Sequence, residues 1–434
     1  MVVVLALVVG SVVVWKLNSG GSGSDIDTSA GKAEVAREER PPVAAKAPPL
    51  GSAPTKKLWT YPPGGDARGY PTVMGGDSKT VIVNMGDSLV ALDAANGSER
   101  WRQPAPASIG SYGYCVVSTS GKAGLCSGGQ NAVLLDMTTG ATKDTMAAQG
   151  FGSVYSGSGL LAFVDVRKSV TVFDDAGQQL WTKSTPGMVS VFLDQRIIAE
   201  APGTSTSFYD AKTGDEQFSI GAVDDIVATS RGVAVSVRGS SLVSGERFPK
   251  QRIDFYSFTG KLAWSIPEDQ GYRLPNTAPI SGIPSPSSVE FATSGVVLPI
   301  VYSEDKGEIA AVDPLTGEFK WSQQTPIPPH TVVYLSGIGN LCKVSYSEVG
   351  TGAGGVRVRD CNDGTGAFIA KSELSTLVAA DGDQIVGTGD SSYVSAYDTA
   401  TGRQSGRLDD HIGVVTWVGD GLYAAGSGKV TRLS

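Results

Sequence analysis

The chain has 434 residues, 41% of them hydrophobic and 18% charged, with 56 glycines and a formal net charge of −8. Low charge and abundant glycine suit an all-β protein with frequent turns. The acidic balance, without a run of Lys or Arg, argues against a nucleic-acid partner, and two His leave no His-rich metal centre.

Residues 2–15, VVVLALVVGSVVVW, are continuously apolar. As a helix, at about 1.5 Å per residue and with Leu17 included, they span ~24 Å, a little short of a ~30 Å hydrocarbon core. Residues 1–17 therefore read as a transmembrane anchor, with a signal segment as the alternative. Residues 18–55 are Gly/Ser-rich, then charged, then Pro/Ala-rich (RPPVAAKAPPLGSAP), a composition that cannot bury a core and predicts a disordered tether. The globular domain is expected over residues 56–434. It opens on Lys57, Leu58, Trp59 and Thr60, which match the Trp-bearing strands in LAWSIP and QLWTKSTP but lack the three strands that precede those. The missing strands lie at the other end, at 414–419, 422–425 and 429–433. Both termini are thus expected to share one sheet and leave no exposed edge.

Between them runs a repeat, clearest at residues 309–321, IAAVDPLTGEFKW. Alternating residues predict a strand, Asp313 and Pro314 start a turn, Gly317 closes it, and Phe319 and Trp321 resume on the next strand. The same turn recurs with Gly97, Gly140, Gly177, Gly214, Gly260, Gly364 and Gly402. The spacing averages about 44 residues, the length of a four-stranded propeller blade. Eight such turns and the split terminal sheet make nine blades.

Cys115 and Cys126 lie on successive strands of one repeat, and Cys342 and Cys361 on successive strand candidates of another. Two intrablade disulfides are expected, with four buried thiols as the alternative; disulfides would indicate an oxidising compartment. Four long connections, 238–252, 267–287, 323–331 and 348–355, belong to consecutive repeats. All are read as links from strand 2 to 3 or from strand 4 to the next strand 1, which share one face. They carry Phe248, Tyr272, Leu274, Ile280, Ile283 and Ile327, expected as exposed partner-binding anchors.

The pattern D-x-x-x-G-x-x-x-W, with Trp101, Trp181, Trp264 and Trp321 at its Trp position, resembles the repeat of the quinoprotein-like (PQQ-repeat) β-propellers. That family includes quinoprotein alcohol dehydrogenases and the outer-membrane assembly lipoprotein BamB. The resemblance runs from about Lys57 to the end. It implies an all-β propeller of four-stranded blades, eight in number, and a Trp packed between blades. Its quinone-dependent enzymes carry adjacent cysteines, a metal held by Glu and Asn, and an Asp base. No two Cys are adjacent here and no such set is assignable, so no catalytic, cofactor or metal residues are expected. Asp381 and Asp383 lack the spacing of a calcium loop, and His411 beside Asp409 and Asp410 reads as a solvated turn. The reading is an exported, membrane-anchored, extracytoplasmic propeller, non-catalytic, that scaffolds an envelope protein of unknown identity. The alternatives are a diverged quinone-dependent oxidoreductase and an extracellular ligand-sensing propeller.

Overall fold

The repeat turn folds as a compact, self-satisfied unit. In residues 313–317 the Gly317 N–H donates to the Asp313 carbonyl at 2.9 Å. The Asp313 carboxylate accepts from the Leu315 and Thr316 N–H groups at 2.8 and 3.3 Å. All eight closing glycines have φ between 68° and 82°, the left-handed region that costs a side-chain-bearing residue about 1–2 kcal/mol. Just before the turn the pairing slips by one residue, between Ala311 and Val312 here and at the matching place in six other repeats. Such bulges add twist to the outer hairpin of each blade.

The computed structural model describes residues 56–433 except 63–70, 239–250, 276–297, 325–330, 371–375 and shorter stretches of connecting chain; over most of 331–389 it describes the backbone alone. The described strands form six four-stranded sheets, one eight-stranded sheet and one three-stranded sheet. The eight-stranded sheet is two meanders joined by a short parallel contact of Gly75 and Gly76 with Cys115 and Val116. In chain order the units are blade 1 (72–104), blade 2 (114–147), blade 3 (152–184), blade 4 (188–221), blade 5 (225–266), blade 6 (300–324), blade 7 (331–370) and blade 8 (376–409). Blade 9 joins Lys57–Tyr61 to the three strands of residues 414–433. Among the described residues there are therefore nine units. That is the number given by the repeat turns, not the eight that the family resemblance implies.

Inner strands are buried on both sides, as in Thr80–Asn84 and Leu160–Asp165, whereas outer strands such as Gln179–Ser184 alternate. Blades bury their faces against each other. Met74, Ile82 and Leu89 of blade 1 pack on Cys126, Val133 and Leu135 of blade 2. The outer strand's aromatic ring then locks onto the next blade's turn. Trp101 donates its indole N–H to the Met137 carbonyl at 2.9 Å, and a Cβ on Gly140 would come within 2.5 Å of its ring. Trp59, Trp181 and Trp264 repeat the bond to Ala94, Ala211 and Pro314. Phe218 keeps the contact with the turn glycine, Gly260, without an N–H to donate. Trp59 lies on Lys57–Tyr61, which pairs antiparallel with Lys429–Leu433, so both chain ends build one blade.

Blade 6 departs from the sequence reading. Its described strands are Ile300–Ser303, Glu308–Val312 and Phe319–Gln324, and Arg273 bridges antiparallel to Tyr302. The two residues exchange both backbone bonds, at 2.8 and 3.0 Å. Tyr272 and Leu274 flank that bridge at 3% exposure, in a cluster with Val227, Phe255, Val301 and Ala310. These two are thus core residues, not exposed anchors. They stand where the innermost strand of a blade belongs, and the apolar face of blade 5 covers them. The link from blade 5 to blade 6 is then residues 267–271, around the 3-10 helix Glu268–Gln270. Residues 275–299 therefore connect strands 1 and 2 within blade 6, not blade 5 to blade 6. Phe248, Ile280, Ile283 and Ile327 lie outside the described residues, as do residues 1–17. Among the described residues no helix is long and apolar enough to cross a membrane.

Candidate functional site

Two kinds of connection emerge on what is here called the turn face: those between strands 1 and 2, and the Asp-to-Gly turns between strands 3 and 4. Over blades 2, 3 and 4 these turns enclose a groove of about 430 Å³. Blade 2 contributes Ser120 and Lys122; blade 3 contributes Ser158 to Leu160, Asp174 to Ala176, and Leu180; blade 4 contributes Arg196 and Lys212.

Hydrogen bonds between blades hold the floor. The Asp175 carboxylate of blade 3 accepts from the Ser120 N–H of blade 2 at 3.0 and 3.1 Å, and Ser120 Oγ donates to the Asp175 carbonyl at 3.1 Å. Burial pushes the Asp175 carboxyl up, but hydrogen bonds from Ser120 and Thr119, with the charge of Lys122, together outweigh it and hold the group below the ordinary carboxylate range. Lys143 Nζ of blade 2 donates to the Ala176 carbonyl at 3.3 Å. On the other side, Ser158 Oγ donates to the Asp194 carbonyl of blade 4 at 3.1 Å. Burial raises the Asp194 carboxyl. Asp174 Oδ1 is occupied by its own turn, accepting from the Ala176 and Gln178 N–H groups at 2.9 and 2.8 Å.

The acids of the groove are therefore engaged, whereas its bases are not. Lys122, Arg196 and Lys212 are exposed, and none makes a side-chain hydrogen bond or ion pair among the described residues. Lys122 only lies near enough to Asp175 to help keep it ionised. Leu180 adds an apolar wall and is 39% exposed. Arg196 and Ser158 have φ of 53° and 46°, the two left-handed backbones among the described non-glycine residues. The groove thus offers charge-assisted donors around an apolar patch, which is binding chemistry. Among the described residues no group of three or more His, Cys, Asp or Glu is placed to hold a metal.

Sequence reasoning missed this site because its cations sit singly at 122, 196 and 212, and only the stacking of blades brings them together. The available signal was a basic residue in turns of successive repeats. Cys115 and Cys126, opposite each other on the first two strands of blade 2, form a disulfide. Cys342 lies on the strand Leu341–Glu348, but its side chain, like Cys361, is outside the described residues. So are Asp381, Asp383, Asp410 and His411.

A family model described as outer membrane protein assembly factor BamB matches residues 50–143 and 129–406. No curated protein gives a significant match. Among solved structures, BamB from Moraxella catarrhalis is 15% identical, with 64% of this chain and 81% of that one covered and a TM-score of 0.37. The computationally designed Ika8 protein is 13% identical, with 88% and 99% covered and a TM-score of 0.46. A eukaryotic initiation factor is 11% identical, with 82% and 91% covered and a TM-score of 0.50, a likeness of fold alone.

Proposed function

This chain belongs to the family described as outer membrane protein assembly factor BamB, and we propose that it is an exported, membrane-tethered, non-catalytic propeller that scaffolds a protein partner in the cell envelope. The family match, which spans most of the domain, carries this reading. The Cys115–Cys126 disulfide supports it, since such bonds persist in oxidising compartments and are rare in the cytosol. A second disulfide between Cys342 and Cys361 belongs to the same proposal, as do residues 1–17 as anchor and 18–55 as tether. The groove on the turn face is the partner site we favour, because it is concave, framed by interblade hydrogen bonds and supplied with uncommitted donors. Phe248, Ile280, Ile283 and Ile327 remain candidate partner contacts.

The test is photo-crosslinking in living cells followed by fractionation. A photoreactive residue at Leu180, in the groove, should trap an envelope protein. One at Val166, in the link between strands 2 and 3 of blade 3 on the opposite face, should trap far less. Recovery of the chain solely from the cytosol, with no crosslinked envelope protein from either position, would refute the reading.

A further inference from the structure

We infer that the groove over blades 2 to 4 binds a short acidic peptide segment that also carries an apolar side chain. This rests on the reading of the propeller as a protein-binding scaffold and specifies what it binds. The chain as a whole carries a net charge of −8, yet this groove gathers Lys122, Arg196 and Lys212, none of which makes a side-chain hydrogen bond or ion pair among the described residues. Asp174 and Asp175 offset part of that charge but form no hydrogen bond or ion pair with the three cations; their carboxylates accept backbone N–H groups of the turns. Cations left with free donors beside a concave wall select carboxylates, and they do so through charge-assisted hydrogen bonds, which are the strong ones. The volume, about 430 Å³, is that of a site for a ligand of many atoms, well beyond a single small anion. Leu180 gives that ligand an apolar surface to cover. An acidic segment with a leucine-like residue satisfies both features; an inorganic anion satisfies only the first.

The backbone at Arg196 adds to the argument. Its left-handed φ of 53° is a conformation that glycine would adopt without steric cost, yet the position holds the long cation that lines the groove. Its turn is fixed on both sides, by Arg196 N–H donating to the Leu193 carbonyl at 2.8 Å and Ala211 N–H donating to the Arg196 carbonyl at 2.9 Å. The guanidinium is therefore presented from a rigid base.

The experiment uses the full chain and three probes: a fluorescent peptide alternating Glu and Leu, its counterpart alternating Gln and Leu, and inorganic phosphate as competitor. The acidic peptide should bind, weaken as salt is raised, and resist displacement by phosphate at matched anion concentration. Replacing Arg196→Gln and Lys212→Gln together should weaken it about ten-fold or more, as expected for lost hydrogen bonds to charged groups. Arg196→Gly should lose affinity while its melting temperature holds or rises, which separates lost recognition from lost folding. Equal binding of the neutral peptide, full displacement by phosphate, no binding at all, or variants that bind like the parent would each overturn the inference. An envelope partner trapped from Leu180 with no acidic-peptide binding sinks this inference alone. Peptide binding without any envelope partner sinks the scaffold reading and leaves the groove chemistry standing.

Discussion

Ser158 and Arg196 sit in equivalent turns of neighbouring blades, and each pays for a left-handed backbone with a side chain that faces the groove. Left-handed geometry costs a residue with a Cβ about 1–2 kcal/mol, and glycine's extra chain entropy returns roughly half of that. Relief of strain alone should therefore stabilise Ser158→Gly by about 0.5–1 kcal/mol in urea unfolding, and loss of the Ser158 Oγ bond to Asp194, worth about 0.5–1.5 kcal/mol, should bring the net change to within about 1 kcal/mol of zero. A lower midpoint would mean that the interblade bond outweighs the strain. Leu274 tests the opposite case. It lies at 3% exposure between blades 5 and 6. Leu274→Ala should cost about 2–5 kcal/mol, the range for truncating a buried leucine, where a surface anchor would lose only about 0.5. Tyr272, whose hydroxyl donates to Glu308 and whose ring lies 4.9 Å from that of Phe319, should behave similarly.

At the scale of the element, the short strand Lys57–Tyr61 does more than its length suggests. It covers the edge of Lys429–Leu433, seats Trp59 against the turn at Gly97, and places the Tyr61 hydroxyl 2.7 Å from Glu99 and from Arg102 of blade 1. Removing residues 1–55 should leave the unfolding midpoint unchanged. Removing residues 1–61 should expose a strand edge and bring aggregation, measured by light scattering at equal concentration. Equal solubility of the two would show that blade 9 closes without its outer strand. This element was legible in the sequence because its cue is local: a Trp-bearing strand without its three predecessors. The eight hairpins were legible for the same reason, since the turn glycine, with Asp before it in seven and an aromatic residue after it in six, acts within a dozen residues. The inner strand of blade 6 was not, because a single bridge at Arg273, next to Pro275, leaves no alternating run to read. The groove was not legible either. Its cations come from three blades, and interblade packing alone makes them neighbours.

For the molecule as a whole, two sets of carboxyls pull stability in opposite directions with pH. In the repeat turns, Asp93 is held below the ordinary range by its hydrogen bond from Arg100, and Asp313 by the Leu315 N–H, then by Lys320. Groups with a lowered folded-state pKa stabilise the native protein above their unfolded value, about 4, and that stability is lost as pH falls through the folded value. Asp194 and Asp225 are raised by burial. They bind protons more readily folded than unfolded, so their cost at neutral pH is relieved as pH falls through their raised values. Between neutrality and about pH 4 the buried pair should therefore raise stability slightly. Below that the turn carboxyls should bring it down. Urea midpoints measured from pH 7 to pH 3 should pass through a maximum on the acid side of neutrality. Asp194→Asn should flatten the upper limb, and Asp93→Asn with Asp313→Asn should soften the acid fall. A curve that declines steadily from pH 7, unaltered by Asp194→Asn, would show that this buried carboxyl keeps its ordinary pKa in the folded chain.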